Sequence, residues 1–185
     1  ATLAAQFLRE PQRVTVGRPA TPPGTIMQQV YPVPPDRKTD LLLHLLGTVD
    51  MDGVLVFVRT KHRADRLGRQ LKRAGINAAC LHGDRSQAQR EWALNGFRRG
   101  AVKVLVATDI AARGLDIRVV SHVINYDLPN SPEDYVHRIG RTARAGAAGN
   151  AWSMATAADA GAIRAIEKTV ASPLSRVKLP AFEQA

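Results

Sequence analysis

From residue 54 onward, short and largely apolar runs, the first of them continuously so, alternate with amphipathic stretches, and this alternation constrains the fold more than any other feature. The runs are VLVFV at 54–58, INAACLH at 76–82, VKVLVA at 102–107, VSHVINY at 120–126 and NAWSMAT at 150–156. Apolar residues without polar alternation are expected of strands covered on both faces. Between the runs lie helical patterns. Ala64, Leu67, Leu71 and Ala74 make one stripe opposite Arg63, Arg66, Lys72 and Arg73, and Gly75 ends that segment. Ser86 and Gln89 have the spacing of a capping box and open a helix to Gly100, with Trp92 and Phe97 available to the core. SPEDYVHRIGRTAR at 131–144 and AADAGAIRAIEKTV at 157–170 continue the rhythm. Strand–helix–strand alternation predicts an α/β fold of three layers with a mostly parallel central sheet.

Parallel strands all finish at the same edge. Arg59-Thr60, Gly83-Asp84, Thr108-Asp109 and Asp127–Pro129 each follow a predicted strand, so they are expected on one carboxyl rim, where open α/β sheets bind ligands. Upstream, 26–33 reads as a strand and 41–46 as a buried helix. Residues 3–10 have the composition of a helix tail, and GRPATPPG at 17–24 is too rich in Pro and Gly for regular structure.

Charge narrows the partners. Twenty-six Lys and Arg against 16 Asp and Glu give +10, which favours a polyanion through steering and counterion release. The single cysteine, Cys80, excludes an internal disulfide and a multi-cysteine metal site and suits a reducing compartment. No apolar run has the length of a membrane span, and the first residues lack the order of a signal peptide, so a soluble cytoplasmic protein is expected.

Three rim segments carry the chemistry. In ATDIAARGLDI, 107–117, Thr108 and Asp109 leave a strand and Asp116 precedes the next apolar run; as isolated residues the structural reading, Thr108 a satisfied rim hydroxyl and Asp116 a helix or turn cap, is favoured. In LHGDRSQAQRE, 81–91, Gly83 allows close backbone approach, while Gln87 and Arg90 lie one turn apart near a helix start suited to phosphate. Taken alone, that segment is also explained by a capped helix with a solvated polar face. In HRIGRTARAG, 137–146, Arg138, Arg141 and Arg144 recur every three residues. The nearest acids are Glu133 and Asp134 upstream and Asp159 downstream. On a helix the three form a slowly drifting stripe, and a planar guanidinium matches two phosphate oxygens. A solvated basic face is the alternative, and His137 reads as a structural histidine.

VLVFVRT (54–60), LHGDRSQAQRE (81–91), VLVATDIAARGLDI (104–117), VINYDLP (123–129) and YVHRIGRTAR (135–144) resemble, in order and spacing, motifs IV, IVa, V, Va and VI of DEAD-box RNA helicases. The resemblance is to the second, RecA-like helicase domain, closest to bacterial members of the RhlE type, and covers residues 26–170. It implies that 1–25 belong to an interdomain connection and leading loop and that 171–185 form a C-terminal extension. It further implies that Arg141 and Arg144 are arginine fingers reaching the γ-phosphate of ATP and that Asp116 bonds the ribose. By the same resemblance, Thr60, Gly83, Gln87, Arg90, Thr108 and Asp109 grip the RNA sugar-phosphate backbone without regard to base sequence. Where the family usually has glycine after the motif VI threonine, this chain has Ala143. Alanine in a helix is better than glycine by about 1 kcal/mol, so little change is expected there.

The sequence contains no G-x-x-x-x-G-K-[ST] loop and no D-E-A-D box. The resemblance therefore implies that ATP with Mg²⁺ is held mainly by a first RecA-like domain elsewhere in the polypeptide, and that these residues alone hydrolyse nothing. Two other readings remain at this level: the equivalent domain of a superfamily 2 DNA helicase, and a non-catalytic RNA-binding or protein-docking module.

Overall fold

A computed structural model describes residues 26–113, 120–143 and 148–182 of the 185. The helix expected over 3–10 and the loop over 17–24 lie outside the described residues, as do Gly114, Asp116 and Arg144. The elements run β1 (Ile26–Pro32), α1 (Lys38–Thr48), β2 (Val54–Phe57), α2 (Lys61–Arg73), β3 (Ala78–Leu81), α3 (Gln87–Arg98) and β4 (Val104–Ala107). They continue with α4 (Asp109–Ala112), β5 (His122–Asn125), α5 (Pro132–Ile139), β6 (Gly149–Ala155), α6 (Ala160–Val170) and β7 (Ser175–Arg176).

The seven strands form one sheet in the order β3-β4-β2-β5-β6-β1-β7, and every pairing is parallel. The expected three layers are present. On one face, Val54, Val56, Val104, Val106 and Ile124 pack against Leu41, Leu42 and Leu45 of α1 and Ala64, Leu67 and Leu71 of α2. On the other, Leu55, Phe57, Leu105 and Val123 meet Ala93, Leu94 and Phe97 of α3 and the short α4. Further along that face, Ala151 meets Tyr135, Val136 and Ile139 of α5 and Ile163 and Ile166 of α6. A fully buried Leu or Val contributes about 1.5 to 3 kcal/mol, so the central strands, buried at every residue, hold the layers together.

The chain departs from its sequence reading in four places. Trp92 is 60% exposed, whereas Phe97 is buried as expected; α3 turns Ala93, Leu94, Gly96 and Phe97 inward, and Trp92 falls on the flank of that arc. Ala74 is exposed, because α2 ends at Arg73 and Gly75 turns the chain with φ +80°. The helix over 131–144 stops at Ile139 with Gly140 as its cap. Ala143 is therefore not helical: its φ is +53°, in the left-handed region where alanine is worse than glycine, which reverses the sign expected for this substitution. Beyond α6, Ser175–Arg176 adds the seventh strand on β1, and Phe182 is buried in the main core. Among the described residues no helix is long and apolar enough to cross a membrane.

Candidate functional site

The strand ends lie in register. Phe57 pairs with both Ala107 and Asn125, Leu81 with Ala107, and Asn125 with Ser153. The ladder continues past the ends, with Val58 N donating to Ala107 O at 3.0 Å and Thr108 N to Leu81 O and Asp127 N to Phe57 O, both at 3.2 Å. The rim expected from the alternation is thus present, and it gathers Thr60, Gly83, Thr108 and Asp109 on adjoining loops. After β2 the chain crosses to β3 on one side, and after β5 to β6 on the other, so the crossovers diverge between β2 and β5. A crevice at the carboxyl end follows from that divergence.

Each rim residue has a local reason for its position. Thr60 caps α2, its hydroxyl accepting from Arg63 N at 3.2 Å. Ser86 and Gln89 form the capping box, placing exposed Gln87 at the first position of α3 and half-buried Arg90 one turn on. Gln87 Nε2 donates to Glu91 Oε1 at 2.9 Å. Lys61 and Asp84 join two rim loops at 2.8 Å. A Cβ built on Gly83 would meet nothing within 4 Å, so the space beside it is open surface. Thr108 occupies the cap position of α4, yet its side chain caps nothing.

Arg138 is the centre of the arrangement. Helix α5 starts at Ser131, whose hydroxyl accepts from Asp134 N, and buries Tyr135, Val136 and Ile139. Arg138 shares that inward face and is only 2% exposed. Its Nε donates to Asp109 Oδ1 at 2.6 Å and its Nη2 to Asp109 Oδ2 at 2.8 Å. Its Nη1 donates to Asn125 Oδ1 at 2.9 Å and to Asp127 O at 2.7 Å, and the guanidinium stands 4.8 Å from the Phe57 ring centroid. A buried charge persists only when paired and fully hydrogen-bonded, and here one guanidinium ties together the ends of β2, β4 and β5. The sequence reading placed three equivalent arginines on one helical stripe, with Glu133 and Asp134 the nearest acids and able to absorb only part of their charge. Instead, Arg138 turns inward to a carboxylate 29 residues upstream, while Arg141 lies beyond the helix end. Asp109, expected at the RNA backbone, has both oxygens committed to Arg138.

Arg141 stands on a turn clamped by backbone. Its N–H donates to Arg138 O at 3.1 Å and its carbonyl accepts from Val120 N at 3.4 Å. Thr142, fully buried, donates its hydroxyl to Val120 O and makes a parallel bridge to that residue. Gly149 completes the clamp, because a Cβ there would lie 2.2 Å from Thr142 Oγ1 and 2.7 Å from Ala143 N. Arg141, Arg113, Asp134, Ala112, His137 and Phe57 surround a shallow depression with the Arg138–Asp109 pair in its wall. Arg113 pairs with Asp134; burial pushes that carboxyl up, but the bonds from Arg113 and Ser131 outweigh it and hold it below the usual range. Two cations at the mouth of a depression suit phosphate oxygens. Asp116 and Arg144, assigned to the same nucleotide, lie outside the described residues.

Sequence reasoning missed a second cluster. Asp127, 3% exposed, accepts from Arg59 N at 3.0 Å and pairs with Arg63, and Lys38 Nζ donates to Tyr126 O at 2.9 Å. Burial lowers the pKa of Lys38. The only sequence signal was Asp127 directly after a strand; Lys38 arrives from α1, 88 residues away.

Residues 37–146 match the family model of the helicase conserved C-terminal domain. Among curated proteins, the DEAD-box ATP-dependent RNA helicase CshA of Bacillus subtilis is 44% identical over 183 residues, 99% of this chain and 37% of that protein. The chain therefore spans little more than a third of the curated relatives it matches. Among solved structures, Escherichia coli DEAD-box protein SrmB, bound to regulator of ribonuclease activity A, is 41% identical with a TM-score of 0.80, covering 85% of this chain and 94% of that one. Saccharomyces cerevisiae Dbp5 bound to RNA and ADP BeF3 is 33% identical with a TM-score of 0.82, covering 96% of this chain and 48% of that one.

Proposed function

Because the chain belongs to the DEAD-box helicases, as their conserved C-terminal helicase domain, we propose that it supplies half of the machinery of an ATP-dependent RNA helicase acting in the cytoplasm. Its share is the arginine fingers, Arg141 and by its motif Arg144, together with one side of the RNA backbone site formed by Thr60, Gly83, Gln87, Arg90 and Thr108, with Asp109 held beside them by Arg138 rather than free to meet RNA. The first RecA-like domain of the same polypeptide holds ATP with Mg²⁺, and Asp116 meets the ribose. Contacts to sugar and phosphate make the grip independent of base sequence.

One arrangement carries the reading. Asp109, beside Thr108 on the rim, is clamped by Arg138, which lies three residues before Arg141. The rim assigned to RNA and the turn assigned to nucleotide are therefore parts of one rigid unit, so closing the domains on RNA also delivers Arg141. At the nucleotide, the guanidinium neutralises charge on the departing phosphoryl group. Bending of the gripped strand opens a short duplex, and hydrolysis releases the two halves.

The test uses the whole helicase. Arg141→Ala is expected to lower RNA-stimulated ATP turnover by about 10³-fold or more, the range known for arginine fingers, while nucleotide binding persists. Turnover near the wild-type rate removes the finger assignment.

A further inference from the structure

Across the rim, the order of strand ends is β5, β2, β4, β3. A strand of RNA laid over Thr60, Thr108 and Gly83 is thus carried towards the free edge of the sheet at β3. Just over that edge, between the end of α2 and the outer flank of α3, lies a pocket of about 240 Å³ lined by Lys72, Cys80, Arg85, Gln89, Ala93 and Trp92. Trp92 is one of three large hydrophobic side chains left exposed among the described residues, at 60%, whereas the other tryptophan, Trp152, is 5% exposed. No acidic residue lines the pocket. Arg85 belongs to the same loop as Gly83 and is oriented by Asp65, and Lys72 faces it from α2. An exposed indole lining one pocket with Lys72 and the Asp65-paired Arg85, on the helix that also carries Gln87 and Arg90, matches a nucleotide: the ring offers a stacking face and the cations meet phosphate.

We propose that Trp92 is a stacking platform for a nucleobase of the RNA strand as it passes over the β3 edge, with Lys72 and Arg85 at the adjoining phosphates. This rests on the RNA-binding reading above and extends it by one nucleotide subsite that tolerates any base. Stacking on an aromatic side chain is commonly worth about tenfold in affinity per base.

The 185-residue chain has only two tryptophans, and Trp152 is buried out of reach of a ligand, so the change in indole emission on binding, measured against the constant Trp152 background of Trp92→Leu, reports on Trp92. The chain is titrated at low salt with a fluorescently labelled ten-nucleotide oligoadenylate, following label anisotropy and, with unlabelled oligomer, tryptophan emission. The expected result is emission quenched in step with binding, with Trp92→Leu losing the quench and raising Kd about tenfold. Exposure of Trp92 makes that substitution harmless to the core, which circular dichroism checks. Binding with unmoved emission, or with Trp92→Leu at wild-type affinity, overturns the subsite, leaves the RNA reading intact and gives the indole to a protein partner instead. The same titration is run on the whole helicase with a non-hydrolysable ATP analogue, and a flat anisotropy both there and with the chain alone removes the RNA reading and the subsite together.

Discussion

Arg138 and Asp109 form a two-point pair at 2.6 and 2.8 Å in which the arginine is 2% exposed and the aspartate 27%. The pair is an internal brace, because both Nη1 donors are used as well, by Asn125 and by the backbone carbonyl of Asp127.

Removing one partner strands a buried charge. Asp109→Asn is expected to destabilise the domain by about 3 kcal/mol, the lower end for a broken buried pair because Asp109 keeps some solvent. Arg138→Lys keeps the charge but not the planar fork, and is expected to fail as a rescue. Urea unfolding checks both; an unchanged midpoint in Asp109→Asn would show that the brace is dispensable.

Ala143 occupies the left-handed region at φ +53°. Glycine there relieves about 1 kcal/mol of backbone strain but adds unfolded-state entropy of about 0.4 to 1 kcal/mol, so Ala143→Gly is expected to be neutral to slightly stabilising. Ala143→Val, with a branched side chain at positive φ, is expected to lower Tm by several degrees. Thermal melts of the two variants should move apart in that order.

Gly149 sits where a methyl group would be 2.7 Å from the backbone nitrogen of Ala143. Backbone cannot step aside as a side chain can, so Gly149→Ala is expected to cost about 1 to 3 kcal/mol. It should also shift the turn carrying Arg141. In the whole helicase, ATP turnover measured well below the melting temperature should drop more than the loss of folded protein explains; a drop equal to that loss refutes the clamp.

His122 is 5% exposed, and burial lowers its pKa from the usual 6.5. Its ring lies 4.7 Å from that of Trp152. The folded form stays neutral where the unfolded chain already takes up a proton. Stability from this group is complete above pH 6.5 and is lost as pH falls towards the depressed folded value. Denaturant midpoints at pH 7.5 and 5.5 should differ less in His122→Gln than in the wild type; an equal difference would assign the acid sensitivity elsewhere.

The layers and the rim were legible because they depend on local pattern. Val54–Phe57 and Val104–Ala107 are apolar at every position, which only a strand covered on both faces requires, and parallel direction then places Thr60, Gly83 and Thr108 on one edge. The capping box at Ser86 was legible for the same reason, since both partners lie within one turn. Trp92 was not, because an amphipathic stripe defines the centre of a buried face better than its margin, and Trp92 lies on that margin. The extent of α5 was misread because helical spacing in 137–144 continues past Gly140, where the chain instead turns back to bridge Val120.

The amino-acid sequence by itself determined the alternating architecture, the basic surplus and the ordered motifs that place the chain among DEAD-box helicases. Only the tertiary structure decided which of the equally spaced arginines is a brace. Arg138 is distinguished from Arg141 by Asp109, Asn125 and Phe57, which arrive from three different strand ends. Whether a guanidinium is turned into the core or stands at the surface depends on distances across the fold, and spacing along one segment carries no information about carboxylates brought to it from elsewhere.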